Sequence, residues 1–271
     1  MTALYGVVGD PVSHSLSPVI HNAWMRDHQL DATYEAFLVP AGELADGLST
    51  LERRGAKGLN ITLPHKEAAL AHADTQSDIA RRIGAANTLV RTKDGGWHAE
   101  NTDAPGFAET LGAAHIDVAG QNVCVLGAGG AARAVVLALA DMRADLTICN
   151  RTVYRAEEMV DHLGVDAKVL GLESVELEMG RADVVINTLS LGHSGETLPF
   201  PEGKLRTFYD ISYGKAARAM LSAADQAGWK TVDGLGMLVA QAAFSFEHWF
   251  GILPDMDSAL ARCRRLVEAT S

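Results

Sequence analysis

A glycine-rich turn between an apolar run and an alanine-rich run constrains the fold of this chain most. Residues 123–126 are continuously apolar and predict a buried strand, which an alanine-rich helix follows. The turn between them consists of Gly127, Ala128, Gly129, Gly130 and Ala131. Small residues allow a pyrophosphate to approach backbone N–H groups at a helix N-terminus. Glycine clusters also form ordinary turns, so it is the strand–turn–helix setting that favours a dinucleotide site.

The end of the next predicted strand, residues 146–149, indicates which dinucleotide is bound. The polar residues that follow it are Asn150, Arg151, Thr152 and Arg155. An NAD site usually has a carboxylate here that accepts hydrogen bonds from the ribose 2′-hydroxyl. A guanidinium binds a 2′-phosphate instead, although a solvated charged loop would have the same composition. The sequence therefore favours NADP(H).

Strands 183–187 and 208–211 continue this series. The first of them ends in the polar residues Asn187, Thr188 and Ser190. In open parallel sheets, ligands bind at the carboxyl ends of the strands. We expect the nicotinamide ribose to lie there, and an ordinary turn is the alternative.

The first hundred residues also alternate between strand and helix patterns. The predicted strands are residues 5–8, 34–39, 58–63 and 87–90, and the predicted helices are 17–28, 42–54 and 66–82. This alternation predicts the α/β class with a mostly parallel sheet.

The predicted domain organisation has two parts separated by a cleft. The pattern becomes helical again from about residue 238, and we expect this tail to pack on the N-terminal domain. The expected domains are 1–102 plus 238–271, which would hold the substrate, and 103–237, a Rossmann-like NADP-binding domain.

Composition excludes several classes of protein. The net charge of the 271 residues is −11, which argues against a nucleic-acid partner. Cys124, Cys149 and Cys263 lack the spacing of metal ligands, and we expect no metal. The N-terminus does not resemble a signal peptide, and the most apolar helix, 134–140, is too short to span a bilayer. We therefore expect a cytoplasmic protein without membrane association.

Polar residues at strand-to-helix junctions are the candidates for a substrate site. Ser15 and Ser17 could form a carboxylate site at a helix N-terminus, or they could be a turn residue and a helix cap. Lys66 begins a predicted helix, where a cation is unfavourable, so it is either a solvated lysine or one held for chemistry. Reduction of a ketone requires a proton donor, and Lys66 oriented by Asp103 would provide one.

Seven segments in order resemble the shikimate dehydrogenase family. They are SHSLSP at 13–18, NITLPHK at 60–66, GAANT at 84–88, NTD at 101–103, the glycine turn from 127, NRT at 150–152 and DGLGMLVAQ at 233–241. The family reduces 3-dehydroshikimate to shikimate with NADPH and without a metal. The resemblance covers almost the whole chain and implies the same fold and activity here, with shikimate and 3-dehydroshikimate as the small-molecule partners.

The resemblance also implies roles for individual residues. Ser15 and Ser17 would bind the substrate carboxylate, and Lys66 and Asp103 would be the catalytic pair. Contacts with the substrate are implied for Thr62, Lys66, Asn87, Asp103, Tyr213 and Gln241. Contacts with the cofactor are implied for the glycine turn and for Asn150, Arg151, Thr152, Arg155, Asn187, Thr188, Ser190, Ile211, Gly234 and Met237.

Two alternatives stay open at this point. The first is a quinate/shikimate dehydrogenase, or a related enzyme of broader specificity, because quinate differs from shikimate mainly in one hydroxyl and in saturation. The second is a ligand sensor without catalysis, which should have lost Lys66 or Asp103, and this chain retains both. We expect a monomer or a homodimer.

Overall fold

The computed structural model describes residues 2–191 and 195–269. Its strands are β1 (Ala3–Gly9), β2 (Ala32–Leu38), β3 (Ala56–Ile61), β4 (Thr75–Gln76), β5 (Thr88–Arg91), β6 (Trp97–Glu100), β7 (Asn122–Leu126), β8 (Asp145–Cys149), β9 (Ala167–Leu170), β10 (Val184–Asn187), β11 (Thr207–Asp210) and β12 (Lys230–Val232). Its helices are α1 (Ser17–Asp27), α2 (Leu44–Arg53), α3 (Lys66–His72), α4 (Asp78–Ile83), α5 (Asp103–Ala113), α6 (Gly130–Asp141), α7 (Val153–Leu163), α8 (Val175–Met179), α9 (Lys215–Gln226), α10 (Leu235–Phe250) and α11 (Met256–Ala269). The predicted α/β class is confirmed.

The chain divides into two compact units. Unit 1 comprises Met1–Gly106 and Leu238–Cys263, and unit 2 comprises Phe107–Met237 and Arg264–Ser271. The predicted domains differ from these units at two places. Residues 103–106 lie in unit 1, and residues 264–269 lie in unit 2. In this last segment, Arg264 Nη1 forms an ion pair with Asp233 Oδ2 of unit 2 at 3.0 Å.

Unit 1 contains a mixed sheet in the order β2-β1-β3-β5-β6-β4. Strand β1 is parallel to β2 and β3, whereas β5 is antiparallel to β3 and β6. Nearly every residue of β1 is buried, as expected for a strand covered on both faces. Helix α2 buries Leu44, Leu48 and Leu51 in the same core because they recur at helical spacing.

Unit 2 contains a parallel sheet in the order β12-β11-β10-β7-β8-β9. Strand β7 pairs with β8 on one side and with β10 on the other. The strand order reverses between β7 and β10, which places a switch point at the carboxyl ends of these two strands. This is the doubly wound order that the glycine turn predicts.

One predicted helix is wrong. The periodicity over residues 66–82 predicts a single helix, but the structure has α3, the short strand β4 and then α4. The Asp74 carboxylate accepts a hydrogen bond from the Trp97 backbone N–H at 2.8 Å, and β4 pairs with β6. Ser77 then caps α4 by accepting from the Ala80 N–H at 3.2 Å. Local periodicity does not detect a two-residue strand whose partner is distant in sequence.

Two features of the described residues bear on the composition argument. Cys124, Cys149 and Cys263 are free and buried, as small core residues are. Within residues 2–191 and 195–269, no helix has the length and apolar character needed to cross a membrane.

Candidate active site

The predicted substrate residues of unit 1 lie near one edge of its sheet, the edge at which β1 and β3 have their carboxyl ends. Strands β1 and β3 are parallel, so the segments after Gly9 and Ile61 leave the sheet at the same edge. Antiparallel β5 begins at this edge, and β6 ends there, because Thr88 pairs with both Asn60 and Glu100. The predicted residues in these segments are Ser15, Ser17, Thr62, Lys66, Asn87 and Asp103.

Lys66 and Asp103, 37 positions apart in sequence, form an ion pair that is largely buried, with Lys66 Nζ 2.6 Å from Asp103 Oδ2. Their side chains are only 14% and 6% exposed. Lys66 begins α3 and Asp103 begins α5. A helix N-terminus favours the carboxylate and disfavours the ammonium, so Asp103 compensates for the placement of Lys66. Removal of one partner would leave a poorly solvated charge, which costs about 3–5 kcal/mol.

Asn87 holds the other oxygen of the Asp103 carboxylate. Its Oδ1 accepts a hydrogen bond from the Thr102 backbone N–H at 2.7 Å, and a backbone N–H only donates. The amide nitrogen must therefore point away from Thr102 N, and it donates to Asp103 Oδ1 at 3.0 Å and to Gln241 Oε1 at 3.2 Å. Four predicted site residues, namely Lys66, Asn87, Asp103 and Gln241, are thus connected by direct contacts.

A buried polar cluster behind Asn87 was not predicted from the sequence. Asn60 Nδ2 donates to Ser245 Oγ at 2.8 Å and to Thr88 Oγ1 at 3.2 Å. Thr88 Oγ1 and Ser245 Oγ are 2.7 Å apart, and Thr88 Oγ1 also donates to Asn87 Oδ1 at 3.1 Å. The sequence carried a partial signal, because Ser245 lies four positions after Gln241 and so shares its helix face.

Ser15 and Ser17 lie after β1, but the alternative in which Ser17 caps the helix is wrong. Ser17 is the first residue of α1, and Leu16 occupies the cap position without a side-chain hydrogen bond. Ser15 Oγ instead accepts from the Ser17 backbone N–H at 3.2 Å. Thr62 packs against Gly9, where an added Cβ would collide with the Thr62 methyl group. The structure shows no hydrogen bond from these three side chains to Lys66 or Asp103.

His21 lies in an aromatic cluster one helical turn after Ser17. Its ring is fully buried and stacks on Tyr34 with centroids 4.3 Å apart and an interplanar angle of 8°. Among the residues that the structure describes, neither ring nitrogen has a hydrogen-bond partner. Burial lowers the pKa of His21 to about 3, although the neighbouring Asn60 side chain opposes this shift. The ring is therefore neutral at physiological pH.

The glycine turn of unit 2 fits a pyrophosphate. Gly127 has a φ of +113°, and a Cβ there would collide with the Thr188 hydroxyl, which donates to the Leu126 carbonyl at 2.7 Å. An added Cβ on Gly129 would meet no atom of the described residues within 4 Å. Helix α6 begins at Gly130, and the cap residue is Gly129, which has no side chain to satisfy the backbone N–H groups at the helix N-terminus.

The segment after β8 presents cations and no carboxylate. Asn150 Nδ2 donates to the Thr152 carbonyl at 2.8 Å, which shapes the turn. Arg151, Thr152 and Arg155 are exposed, and residues 150–156 contain no Asp or Glu. This arrangement fits a ribose 2′-phosphate better than a free 2′-hydroxyl.

The carboxyl ends of β10 and β11 carry a buried pair that includes an unpredicted residue. Asn187 Nδ2 donates to Asp210 Oδ2 at 3.1 Å. Burial raises the pKa of Asp210, while the Ser212 backbone N–H opposes the shift. The position of Asp210 at a strand end was the available signal. Gly234 packs so closely on the Ile211 carbonyl that a Cβ would collide with it.

The remaining predicted residues of unit 2 have different exposures: Ser190 is exposed, Ile211 and Tyr213 are half-buried, and Met237 is buried. Within the described ranges, no group of three His, Cys, Asp or Glu side chains could hold a metal ion.

Three family models match this chain. They are described as the shikimate dehydrogenase substrate binding domain, at residues 7–89, shikimate / quinate 5-dehydrogenase, at residues 110–197, and the shikimate 5′-dehydrogenase C-terminal domain, at residues 234–261.

Known proteins are similar over nearly the full length. The shikimate dehydrogenase (NADP(+)) of Hyphomonas neptunium is 59% identical over 271 residues, which is 100% of both chains. The crystal structure of shikimate dehydrogenase from Aquifex aeolicus has a TM-score of 0.86 at 34% identity and covers 97% of this chain and 98% of that one. Shikimate 5-dehydrogenase from Thermus thermophilus, solved in complex with NADP(H) and shikimate, has a TM-score of 0.82 at 37% identity and covers 97% and 99%.

Proposed function

This chain belongs to the shikimate dehydrogenase family, and we propose that its Lys66–Asp103 pair is the acid–base centre of the reaction. The activity is the NADP-dependent, reversible reduction of 3-dehydroshikimate to shikimate, an oxidoreductase reaction on a CH–OH group. The family implies a role in chorismate and aromatic amino acid biosynthesis. The observation that carries the proposal is the buried 2.6 Å contact between Lys66 Nζ and Asp103 Oδ2.

The protein side chains supply the proton in this reaction, and NADPH supplies the hydride when it is bound. As negative charge develops on the ketone oxygen, the Lys66 ammonium donates a proton to it, which gives the alcohol. In the reverse direction, neutral Lys66 removes the proton of the hydroxyl. Asp103 orients the Lys66 side chain in both directions, and Asn87 holds the carboxylate in place.

The substrate residues form two groups on the carboxyl edge of the unit 1 sheet. The hydroxyls of Ser15 and Ser17, near the start of α1, are suited to the substrate carboxylate. The ring hydroxyls require both donors and acceptors. Thr62, Lys66, Asn87, Asp103 and Gln241 provide them, and Tyr213 is proposed as a further substrate contact.

Unit 2 is proposed to bind NADP(H), and unit 1 the substrate. The glycine turn would hold the pyrophosphate, and Asn150, Arg151, Thr152 and Arg155 the adenosine phosphate. The nicotinamide side is assigned to Asn187, Thr188, Ser190, Ile211, Gly234 and Met237, at or after the ends of β10 and β11 and at the start of α10. We also propose a cytoplasmic location and a monomer or homodimer, which light scattering on the purified protein distinguishes.

A direct assay tests the function. NADPH formation with shikimate should be readily measured at neutral to alkaline pH, with a clear preference for NADP+ over NAD+. The preference follows from the cations after β8, since residues 150–156 lack a carboxylate. Equal or better turnover with NAD+ would contradict the assignment of Arg151 and Arg155.

Quinate is the second candidate substrate. The family model at residues 110–197 is described by both shikimate and quinate. Quinate measured beside shikimate in the same assay separates the two readings. A kcat/KM for quinate equal to that for shikimate would identify an enzyme of broader specificity.

A further inference from the structure

Asn101 caps the helix that carries Asp103. Its side chain is buried, and its Oδ1 accepts hydrogen bonds from the backbone N–H groups of Asp103 at 3.0 Å and Ala104 at 3.3 Å. These two groups belong to the first turn of α5, where backbone donors lack partners within the helix. Asn101 therefore determines where the backbone of Asp103 begins the helix.

The other end of the Asn101 amide connects to the segment that carries Asn87. Asn101 Nδ2 donates to the Ala85 carbonyl at 2.9 Å. The next residue, Ala86, donates its backbone N–H to the Lys66 carbonyl at 2.9 Å. The single side chain of Asn101 thus connects Asp103 to the backbone that also holds Lys66.

The orientation of the Asn101 amide is unambiguous. Backbone N–H groups only donate and a carbonyl only accepts, so the oxygen must face α5 and the nitrogen must face Ala85. No other uncharged side chain of this shape supplies an acceptor and a donor in these two directions. Serine provides the helix cap alone, and alanine provides neither.

We propose that Asn101 is a positioning residue for the acid–base pair. It touches neither Lys66 Nζ nor the Asp103 carboxylate, and it acts by fixing the backbones from which these groups extend. This inference rests on the proposed catalytic role of Lys66 and Asp103. Small errors of placement slow a reaction strongly, since about 1 Å can cost on the order of 10²-fold in rate.

The test compares two lost helix caps in unit 1. We expect Asn101→Ala to lower kcat for shikimate oxidation roughly 10- to 100-fold, with KM for NADP+ unchanged. Ser77→Ala is the matched control, because Ser77 caps α4 through its Oγ and lies outside the proposed site. It should lower the melting temperature, by less than Asn101→Ala because it loses one hydrogen bond and not three, and leave kcat unchanged.

The deuterium isotope effect distinguishes positioning from general destabilisation. With shikimate labelled at the oxidised carbon, Asn101→Ala should raise the isotope effect on kcat because the chemical step has become slower. Loss of folded protein alone would lower kcat without changing the isotope effect. Asn101→Ser keeps the helix cap and loses the hydrogen bond to the Ala85 carbonyl, so its kcat and its isotope effect should lie between those of wild type and Asn101→Ala. This variant decides the question if the alanine variant does not fold.

The outcomes separate this inference from the function on which it rests. A wild-type kcat in a folded Asn101 variant, beside an inactive Lys66→Ala, would overturn the inference alone. So would an equal loss of kcat in Ser77→Ala. If wild type does not oxidise shikimate, or if Lys66→Ala retains full turnover, the proposed function itself fails.

Discussion

The two units use opposite means to prepare for their ligands. In unit 1 the proposed acid–base centre consists of side chains that are hydrogen-bonded to one another, as Lys66, Asn87 and Asp103 are. In unit 2 the proposed pyrophosphate and adenosine-phosphate sites consist of backbone in the glycine turn and of exposed side chains such as Arg151. A proton donor requires one defined geometry, whereas a phosphate is bound through charge and N–H groups that tolerate more variation.

This difference means that substitutions should act differently in the two units. A change in the connected site of unit 1 should alter the rate of the chemical step. A change in the open segment of unit 2 should alter cofactor affinity and leave the rate at saturation nearly intact.

The largest expected effect is that of Lys66→Ala. It should lower kcat by about 10²-fold or more, because the proton donor is lost. NADPH affinity, measured by fluorescence titration, should stay within about twofold of wild type. Lys57→Ala, at an exposed lysine of β3, is the control and should turn over normally. A wild-type kcat in Lys66→Ala would contradict the expectation that changes in unit 1 act on the chemical step.

The second effect concerns acid stability. Because burial lowers the pKa of His21 to about 3, the folded protein keeps this ring neutral while the unfolded chain takes up a proton near pH 6.5. Stability should therefore fall as the pH drops below about 6.5, by about 1.4 kcal/mol per pH unit from this group. At pH 5 the loss is about 2 kcal/mol.

His21→Phe should reduce this pH dependence. Melting temperatures of wild type, His21→Phe and His72→Gln, at pH 5 and pH 7.5, test this expectation. His72 is exposed, so its replacement should leave the acid destabilisation unchanged. Equal pH dependence in wild type and His21→Phe would show that His21 is not the neutral buried group described above.

The third effect should appear in cofactor binding. Arg151→Ala should raise KM for NADP+ about tenfold, because a hydrogen bond to a charged group contributes about 1.5 kcal/mol. The kcat at saturation and the KM for NAD+ should change little. Lys230→Ala is the control, because Lys230 begins β12 at the opposite edge of the sheet. It should leave the KM for NADP+ and the kcat at wild-type values. A selective loss of kcat in Arg151→Ala would contradict the division between the units.

The smallest effect on folding is expected for Gly129→Ala. Its φ of −92° is ordinary and an added Cβ meets no atom of the described residues within 4 Å, so the melting temperature should not change. The methyl group should nevertheless raise KM for NADP+ about three- to tenfold by obstructing the pyrophosphate. Gly127→Ala should instead lower the melting temperature, because of its φ of +113° and the contact with Thr188. An unchanged KM for NADP+ in Gly129→Ala would show that the pyrophosphate does not bind at this turn.

Much of the fold was predictable because its elements follow local periodicity. The strands of residues 123–126 and 146–149 and the helix after the glycine turn have patterns that need no partner to be recognised. The division of residues 66–82 into α3, β4 and α4 was not predictable, since it depends on the hydrogen bond between Asp74 and Trp97. The short strands β6, β9 and β12, which pair with β5, β8 and β11, were also not predicted.

The site was predictable in part. Lys66 was a candidate as a cation at a helix start, and the need for an oriented proton donor paired it with Asp103 before the resemblance implied the same pair. Asn60, Ser245 and Asp210 were not identified, because a polar residue in a strand or helix gives no sign of whether it is buried. The position of Ser245 beside Asn60, 185 residues apart, follows only from the packing of α10 on β3.

The amino-acid sequence alone determined the small residues of the dinucleotide turn and the absence of a carboxylate after β8. These are properties of short segments, in which the chemistry depends on adjacent residues. Only the tertiary structure decided that an ammonium and a carboxylate 37 positions apart are in contact. That contact depends on β5 running antiparallel to both β3 and β6, so that β6 returns the chain to the edge where β3 ends.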